Sequence, residues 1–471
     1  MILSYISKTD LKGKICDYRM ELFIILGSIL FRLAFFLIIQ PWDQEILVDK
    51  IMIGDASGYH KLALELLKNK SLDSSYSQFR TPGYPFLIAA IYLIFGLKPW
   101  VVLLFQIFLN TGAVALIFKL CDLLLGEKST NNAAILAAAL FAFDPVIIFY
   151  SLTLLAETVF SFVFTLSIVL LLFGIKNERL TLIGISGLVL GLATLVKPIS
   201  QYLPIIIAPA LIFWIKNKKY LLIKSIVLFS LAFYTTIAPW ALRNYIKYDQ
   251  LKLTSFKGYN LLYYNATALK SYITGQPFNS IRRSFDQIAI QEGSIDTEPS
   301  FNNNRVFNEI AVNYLSENWI KYILLHIRGM LIVFLDVGVI GIADYLDMPV
   351  QHFYVEFISK CKSIPEMIEV FFKSKPISEL FISIPMVVYL LIIYSSFFIG
   401  SYFLIKKDKH KSLLLVSLVI LYFVALPGVI GQARYRVPIV PFYTLVSSYG
   451  IVEIIRRYKL SLKSKLIKIT D

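Results

Sequence analysis

The chain has few of the residues that build disulfide frameworks or metal centres. It contains three cysteines and four histidines in 471 residues, without the regular spacing of a disulfide framework or a zinc site. Cys16, Cys121 and Cys361 leave one thiol over in any pairing. There is also no Walker A motif, no dinucleotide-binding fingerprint and no nucleophile elbow. These absences argue against an ATP-driven pump.

Apolar residues are abundant. They make up 57% of the chain, with 36 Phe and 28 Tyr, and the mean hydropathy is +0.68. Soluble domains are about 45–50% apolar, so the composition predicts an all-α polytopic membrane protein. The net charge of +15 comes mainly from Lys and Arg beside apolar runs. That placement favours roles in topology and contact with anionic lipids over nucleic-acid binding.

Ten apolar runs are predicted to cross the membrane, at 20–40, 99–121, 132–149, 157–175, 180–197, 201–215, 220–239, 379–405, 411–428 and 437–455. The first is long enough to remain as a helix, so we expect no cleavable signal peptide. Two further runs are ambiguous. The run 83–97 is short, and 319–341 carries several charges. Together these runs give a prediction of about 10–12 transmembrane helices.

The distribution of Lys and Arg decides between these topologies. If neither ambiguous run crosses, every strongly basic loop lies inside, and both termini are cytoplasmic. The ambiguous runs then become amphipathic or partly immersed helices on the outer face. The outer segments would be 41–98, 144–156 and 240–378. We expect three parts: a transmembrane module at 1–245, an extracytoplasmic region at 246–378, and C-terminal helices with a basic tail at 379–471.

Two carboxylates lie at the outer membrane boundary in this topology. Asp55 begins an amphipathic helical pattern in "DASGYHKLALELL", and Glu157 begins the apolar run "ETVFSFVFTLSIVLLLF". Asp55 could simply be a helix N-cap, and Glu157 could simply lie at the water boundary. If they meet, they could hold a divalent metal, or divide into a general base and an orienting group.

Five cations are predicted at the same outer boundary, where the positive-inside rule does not favour them: Arg80, Lys197, Arg243, Arg434 and Arg436. Each alone could reach lipid phosphates by extending its side chain. As a set they favour a bound phosphate, because forked Arg donors and a Lys point charge suit that group.

The motifs around these residues resemble those of the GT-C fold glycosyltransferases that use polyprenyl-phosphate sugars. The branch is that of lipid A aminoarabinose transferases and protein O-mannosyltransferases. The resemblance rests on "GDASGYHKLALELLK", "FRTPGYPFLIAAIYLIFG", "AAALFAFDPVIIFYSLTLLAETVF", "GLVLGLATLVKPIS", "PWALRNY" and "RYRVPIVPF", in that order. All but the last lie within roughly the first 250 residues.

The resemblance implies a transferase in a prokaryotic plasma (inner) membrane. It would move a sugar from a polyprenyl-phosphate donor to a lipid-linked, glycan or protein acceptor on the extracytoplasmic face. Asp55 would be the catalytic base, and Arg80 and Lys197 would lie near the donor phosphate. Glu157 takes the place of a second acidic residue that in some relatives shares a divalent metal (Mg, Mn or Zn) with the first. A base and a leaving group on opposite sides of the sugar predict inversion.

Three other classes of protein remain open from the sequence. A transporter or flippase would favour symmetric halves and charges near the bilayer midplane. A polysaccharide polymerase or ligase would use Arg and His in its outer loops, where His326 and His352 are available. A structural assembly subunit would not depend on Asp55.

Overall fold

The computed structural model describes residues 8–52, 54–74, 76–126, 131–215, 218–345 and 377–470, with 348, 365, 366 and 369. All regular secondary structure in these ranges is helical. The α-helices are α1 Lys8–Ile39, α2 Gln44–Ile46, α3 Asp55–Asn69, α4 Tyr76–Phe79, α5 Gly83–Phe95, α6 Pro99–Leu125, α7 Asn131–Ala142, α8 Pro145–Ser151, α9 Glu157–Lys176, α10 Leu180–Val196, α11 Leu203–Trp214, α12 Lys219–Tyr248, α13 Phe256–Asn260, α14 Thr267–Thr274, α15 Phe278–Gln291, α16 Phe301–Glu317, α17 Trp319–Leu335, α18 Val339–Tyr345, α19 Ile377–Lys406, α20 His410–Ala425 and α21 Val440–Thr470. Short π-helical turns occupy Leu47–Ile51 and Leu261–Ala266, and 3₁₀ turns occupy Pro198–Ser200 and Ala433–Ile439.

The prediction of an all-α membrane protein is confirmed. In the described part of the chain, six helices are long and apolar enough to cross a membrane, and two bent helix pairs raise the number to eight. Four shorter apolar helices, α5, α10, α11 and α20, accompany them. The ten predicted spans correspond to the six long helices, the α7–α8 pair, α10, α11 and α20. Large apolar side chains on their outer surfaces, such as Phe23 and Phe398, suit contact with lipid. The chain is an integral membrane protein.

The predicted span 132–149 is broken in the middle. Helices α7 and α8 meet at an angle of 54°. Asp144 causes the break, because its carboxylate caps α8 by accepting hydrogen bonds from the backbone N–H groups of Val146 and Ile147. Pro145 occupies the first helical position, where no backbone donor is needed. Arg32, inside the first span, is fully buried and donates to the Ser28 hydroxyl at 2.7 Å, so it faces the bundle.

The two ambiguous runs form separate short or bent elements. Helix α5 has 13 residues, about 20 Å of helix against roughly 30 Å of hydrocarbon. Helix α17 meets α16 at 102°, so the pair is not one straight span. Their placement at the outer interface stays a prediction.

Helix α10 lies at the centre of the transmembrane packing and contacts both α9 and α12. Its glycines face α12 at backbone distance. A Cβ atom on Gly187 would lie 2.2 Å from the Phe229 carbonyl oxygen, and one on Gly191 would lie 2.5 Å from Thr236 Cβ. Small residues allow such close approach between membrane helices. This contact holds α10 in register, and α10 ends just before Lys197.

The segment after α12 forms a second hydrophobic cluster. Its buried residues include Leu262, Tyr263, Phe285 and Phe307. This cluster lies mostly within the predicted region 246–378, while most of 346–376, including His352 and Cys361, lies outside the described residues. Gln78 joins the segment after α12 to the segment before α5. Its backbone carbonyl accepts from Ser255 N, and its side-chain oxygen accepts from Phe301 N. The domain boundaries themselves stay a prediction.

We expect Gly187→Ala to destabilise the protein by about 1–3 kcal/mol, because the new methyl group would meet the Phe229 carbonyl. Gly27→Ala is the matched control. Its Cβ would lie 3.6 Å from Phe143, an ordinary contact, and alanine is favourable in a helix. Thermal unfolding in detergent measures both variants. Equal melting temperatures would contradict the close α10–α12 packing.

Candidate active site

The centre of the site is the guanidinium of Arg434, which binds two carboxylates at once. Its Nη2 donates to Asp55 Oδ2 at 2.8 Å, and its Nε donates to Glu157 Oε1 at 2.5 Å. Arg80 Nη2 donates to the other Asp55 oxygen at 2.6 Å, and Lys197 Nζ donates to Glu157 Oε1 at 2.8 Å. We call these five residues the ionic network. It holds three cations and two anions, a net charge of +1.

Chain direction explains why four distant segments meet here. Helices α9 and α10 form an antiparallel hairpin, so the first residue of α9 and the residue after α10 share one end. These are Glu157 and Lys197. The 3₁₀ turn before α21 brings Arg434 to the same end, and α3 and the segment before α5 bring Asp55 and Arg80. The five cations and carboxylates, separated by up to 379 positions in sequence, thus form one connected set.

Asp55 is not a helix N-cap, so that alternative interpretation is wrong. The N-cap is Gly54, whose φ of +54° is in the left-handed region that glycine tolerates. Asp55 is the first residue of α3, and its side chain turns to the two arginines. The predicted amphipathic helix is present, with Ala56, Tyr59 and Ala63 on its buried side. Burial by itself would raise the pKa of the Asp55 carboxyl, but the charges and hydrogen bonds of Arg434 and Arg80 hold that pKa well below its usual range.

Arg80 is held by aromatic rings and by the end of α10. Its guanidinium carbon lies 4.4 Å from the centre of the Tyr59 ring and 5.4 Å from that of Phe79, both cation–π distances. The next residue, Thr81, donates to the Val196 carbonyl at 3.4 Å. A Cβ on Gly83 would lie 2.7 Å from Leu195 backbone atoms, so α5 must begin against α10 with a glycine. This packing places Arg80 beside the Lys197 end of α10.

Glu157 is almost completely enclosed. Its side chain is 1% exposed, compared with 34% for Asp55 and 24% for Arg434. The second oxygen of Glu157, Oε2, and the Nε of Arg80 have no hydrogen-bond partner among the described residues. A buried carboxylate is stable only when cations and donors compensate it. Glu157 is therefore enclosed between Arg434 and Lys197. Asp55 is the most exposed side chain of the network, and we call its side the open side.

Two predicted site residues lie apart from the network. Arg436 is fully buried and donates to the backbone carbonyls of Val333 and Asp336, at 2.9 and 2.7 Å. Asp336 in turn accepts from Ala433 N at 2.5 Å through its side chain. Arg436 thus secures the backbone that carries Arg434.

Arg243 lies at the end of α12. It donates to the Leu72 carbonyl, to Asn244 Oδ1 at 2.7 Å and to Ser77 Oγ at 3.4 Å, and it stacks on Trp240. It anchors the loop that leads to Arg80. The sequence grouped both arginines with the phosphate ligands because Arg243 follows one apolar span and Arg436 precedes another at the same predicted boundary. Their backbone acceptors could not be predicted from those positions. Tyr59 was also missed, since its ring position under Arg80 depends on the fold.

The metal prediction concerns Asp55 and Glu157. In the part of the chain that the structure describes, no group of three or more His, Cys, Asp or Glu side chains lies together as metal ligands do. The two carboxylates have arginine Nη2, arginine Nε and lysine Nζ donors on three of their four oxygens. Adding a divalent cation to a network that already carries +1 would be opposed by charge repulsion. The arrangement of these residues does not fit such an ion.

Comparison with known proteins finds one family model that matches part of the chain and several solved structures with a similar fold. Residues 80–241 match the family described as dolichyl-phosphate-mannose-protein mannosyltransferase, about a third of the chain. This range includes Arg80, Glu157 and Lys197, and leaves Asp55 and Arg434 outside. No curated protein matches the sequence.

Two solved structures of the oligosaccharyltransferase from Archaeoglobus fulgidus match this chain over nearly its whole length. One, AglB in complex with an inhibitory peptide and a dolichol-phosphate, has a TM-score of 0.54 at 12% identity and covers 95% of this chain and 52% of its own. The other, tethered to an acceptor peptide with the NVT sequon, has a TM-score of 0.51 at 13% identity and covers 94% and 50%. The chain has the GT-C fold.

This GT-C chain spans about half the length of the archaeal enzyme that it matches. ArnT from Cupriavidus metallidurans bound to undecaprenyl phosphate is a more distant match. It has a TM-score of 0.40 at 13% identity, and the match covers 91% of this chain and 78% of ArnT. The fold assignment rests on the archaeal structures. The relation to GT-C proteins that the motifs indicated is confirmed at the level of the fold.

The network should contribute strongly to the stability of the GT-C bundle. We expect Glu157→Gln to cost about 3–5 kcal/mol, because it leaves the Lys197 ammonium without its carboxylate and leaves Arg434 with Asp55 alone as a counter-charge. Glu178→Gln removes the partner of Lys218, where both side chains are 54% exposed, and should cost less than about 1 kcal/mol. Thermal or denaturant unfolding in detergent compares the two variants. A Glu157→Gln protein as stable as Glu178→Gln would contradict the burial and pairing described here.

Proposed function

We propose that the protein is a membrane glycosyltransferase that moves a sugar from a polyprenyl-phosphate donor to an acceptor hydroxyl or amide group. The observation that carries the proposal is the ionic network: two carboxylates and three cations at one end of a GT-C bundle, with Asp55 towards the open side. The family matched by residues 80–241 and the dolichol-phosphate of the archaeal relative support the same donor class.

The charge of the network suits a donor with one phosphate. A polyprenyl-phosphate sugar is a phosphodiester with one negative charge, which would bring the network from +1 to zero. Arg434 and Arg80 present forked donors of the kind that bind phosphate oxygens. As the bond between the sugar and the phosphate breaks, a second negative charge develops on the leaving phosphate. Arginines already fixed in place stabilise that charge without reorganisation.

The transfer would be a single displacement. The acceptor atom forms a bond to the anomeric carbon, while the bond from that carbon to the phosphate oxygen breaks. The electron pair leaves with the polyprenyl phosphate, and the proton of the acceptor passes to the Asp55 carboxylate. With the base and the leaving group on opposite sides of the sugar, the anomeric centre inverts. Glu157 does not react in this scheme. It holds Arg434 and Lys197 through its buried carboxylate.

The membrane orientation follows from the opposite end of the bundle. The basic residues Lys218, Lys407 and Arg456 lie there, away from the network, with Glu178 and Glu453 as partners. By the positive-inside rule this end faces the cytoplasm, so the network faces outward and both termini are cytoplasmic. The location in a prokaryotic plasma membrane is part of the same proposal and rests on the resemblance of the motifs, while the charges support only the orientation. Because the charges gather at one end and not near the midplane, a transporter is less well supported.

A divalent metal has no step in this mechanism, because Arg434, Arg80 and Lys197 supply the positive charge at the carboxylates. If Mg²⁺, Mn²⁺ or Zn²⁺ were bound by Asp55 and Glu157, the ion would lie beside the guanidinium of Arg434, which binds both carboxylates, and would be repelled by it.

Identification of the donor is the first test of the function. We expect mass spectrometry of lipids that co-purify with the wild-type protein to find a polyprenyl-phosphate sugar, whose mass identifies the sugar. Arg80→Ala with Lys197→Ala should lose this lipid, because two of the three cations of the network are removed and its net charge changes from +1 to −1. Arg283→Ala with Arg305→Ala is a matched control on exposed arginines. Only ordinary phospholipids, equal in all three proteins, would contradict the proposal.

Metal dependence is tested separately. We expect transfer of the identified sugar to be unchanged after dialysis against EDTA and transfer into metal-free buffer, because the positive charge at both carboxylates comes from side chains. Added Mg²⁺, Mn²⁺ or Zn²⁺ should not raise the rate. A rate that falls with EDTA and returns with one of these ions would contradict the proposal that side chains alone supply the positive charge.

A further inference from the structure

Asp55 and the donor phosphate require the same arginine groups. Both oxygens of the Asp55 carboxylate are engaged, one by Arg80 Nη2 at 2.6 Å and the other by Arg434 Nη2 at 2.8 Å. The guanidinium groups of Arg80 and Arg434 are also the forked donors beside Asp55, the most exposed side chain of the network. A carboxylate held in this way is a poor proton acceptor, because both of its oxygens already accept charge-assisted hydrogen bonds.

The second carboxylate is bound differently. Glu157 is 1% exposed, so it is enclosed together with the Lys197 ammonium and the Nε of Arg434 that bind it. Asp55 also has two cationic partners among the described residues, Arg80 and Arg434, but it is 34% exposed. Glu157 thus holds Arg434 through its Nε group. The Nη2 group of Arg434, which binds Asp55, is the donor that can exchange one anion for another.

We infer that the donor phosphate takes the place of Asp55 on Arg434 and Arg80, and that this exchange releases Asp55 to receive the acceptor. The inference rests on the proposed function. It makes Asp55 both the catalytic base and the group that occupies the phosphate site in the absence of donor. The consequence is an order of events: the donor binds first, and only then is the carboxylate available to the acceptor group. Without donor, the base stays paired, which prevents attack on other compounds.

The inference predicts that removal of the Asp55 charge improves binding of a phosphate ligand. The probe is farnesyl phosphate, with farnesol as the uncharged control, titrated by calorimetry into the detergent-solubilised full chain. Asp55→Asn should bind farnesyl phosphate more tightly than the wild type, on the order of tenfold, because a charged competitor for two arginines is lost. Asp49→Asn removes an exposed charge from the same outer segment and should change the affinity by less than about twofold.

The outcomes separate the inference from the proposed function. Equal or weaker binding by Asp55→Asn, with clear binding by the wild type, would overturn the exchange and leave the proposed function in place. Failure of every variant and of the wild type to bind farnesyl phosphate in preference to farnesol would overturn both.

A second measurement uses only the wild-type protein and does not depend on the folding of a variant. Asp55 is labelled with a carbodiimide and an amine, and the modified peptide is quantified by mass spectrometry. Release from the arginines should raise the labelling of Asp55 severalfold when farnesyl phosphate is added, and farnesol should leave it unchanged. Labelling that falls or stays constant with farnesyl phosphate would mean that Asp55 keeps its arginines, and would overturn the exchange.

Discussion

The arrangement of one end of the helical bundle depends on one guanidinium group. Arg434 carries two donors on different edges, and each edge binds a carboxylate from a different part of the chain. A lysine could compensate the same charge but could not hold two carboxylates in a fixed relative orientation, since its ammonium is a point charge on a flexible stem. Because Glu157 is buried, it needs that partner to remain ionised. The segment that carries Arg434 is secured in turn by Arg436 and Asp336.

The same physical constraint links stability with the proposed chemistry. A network with more cations than anions at the edge of an apolar bundle attracts a further anion. Under the proposed function, the further anion is the phosphate of a lipid donor. The helices therefore need only hold charges at one end, and the donor brings the activated sugar. This division explains how a chain that is largely apolar could perform group transfer without the nucleotide-binding motifs that are absent from its sequence.

The sequence predicted much of this architecture from local signals. Apolar runs indicated the spans, and the period of α3 indicated an amphipathic helix that starts at Asp55. Charged residues at span ends indicated Arg80, Glu157, Lys197 and Arg434, which the structure brings into one network. The same signal also selected Arg243 and Arg436, which bind backbone carbonyls elsewhere. Position at the end of a span shows that a charge can reach the boundary, but it does not show which acceptor it will meet. The break at Asp144 was missed for a related reason, since one capping carboxylate interrupts an otherwise continuous apolar run.

Sequence alone determined that this chain is helical, enters the membrane and carries opposite charges at the ends of several spans, because composition and period are properties of each segment by itself. Tertiary structure decided that Arg434 joins Asp55 to Glu157, that Tyr59 lies under Arg80, and that Glu157 is enclosed while Asp55 is open. These relations connect residues up to 379 positions apart. They depend on how α9, α10 and α12 pack, down to the backbone contact at Gly187, and no local pattern contains that information.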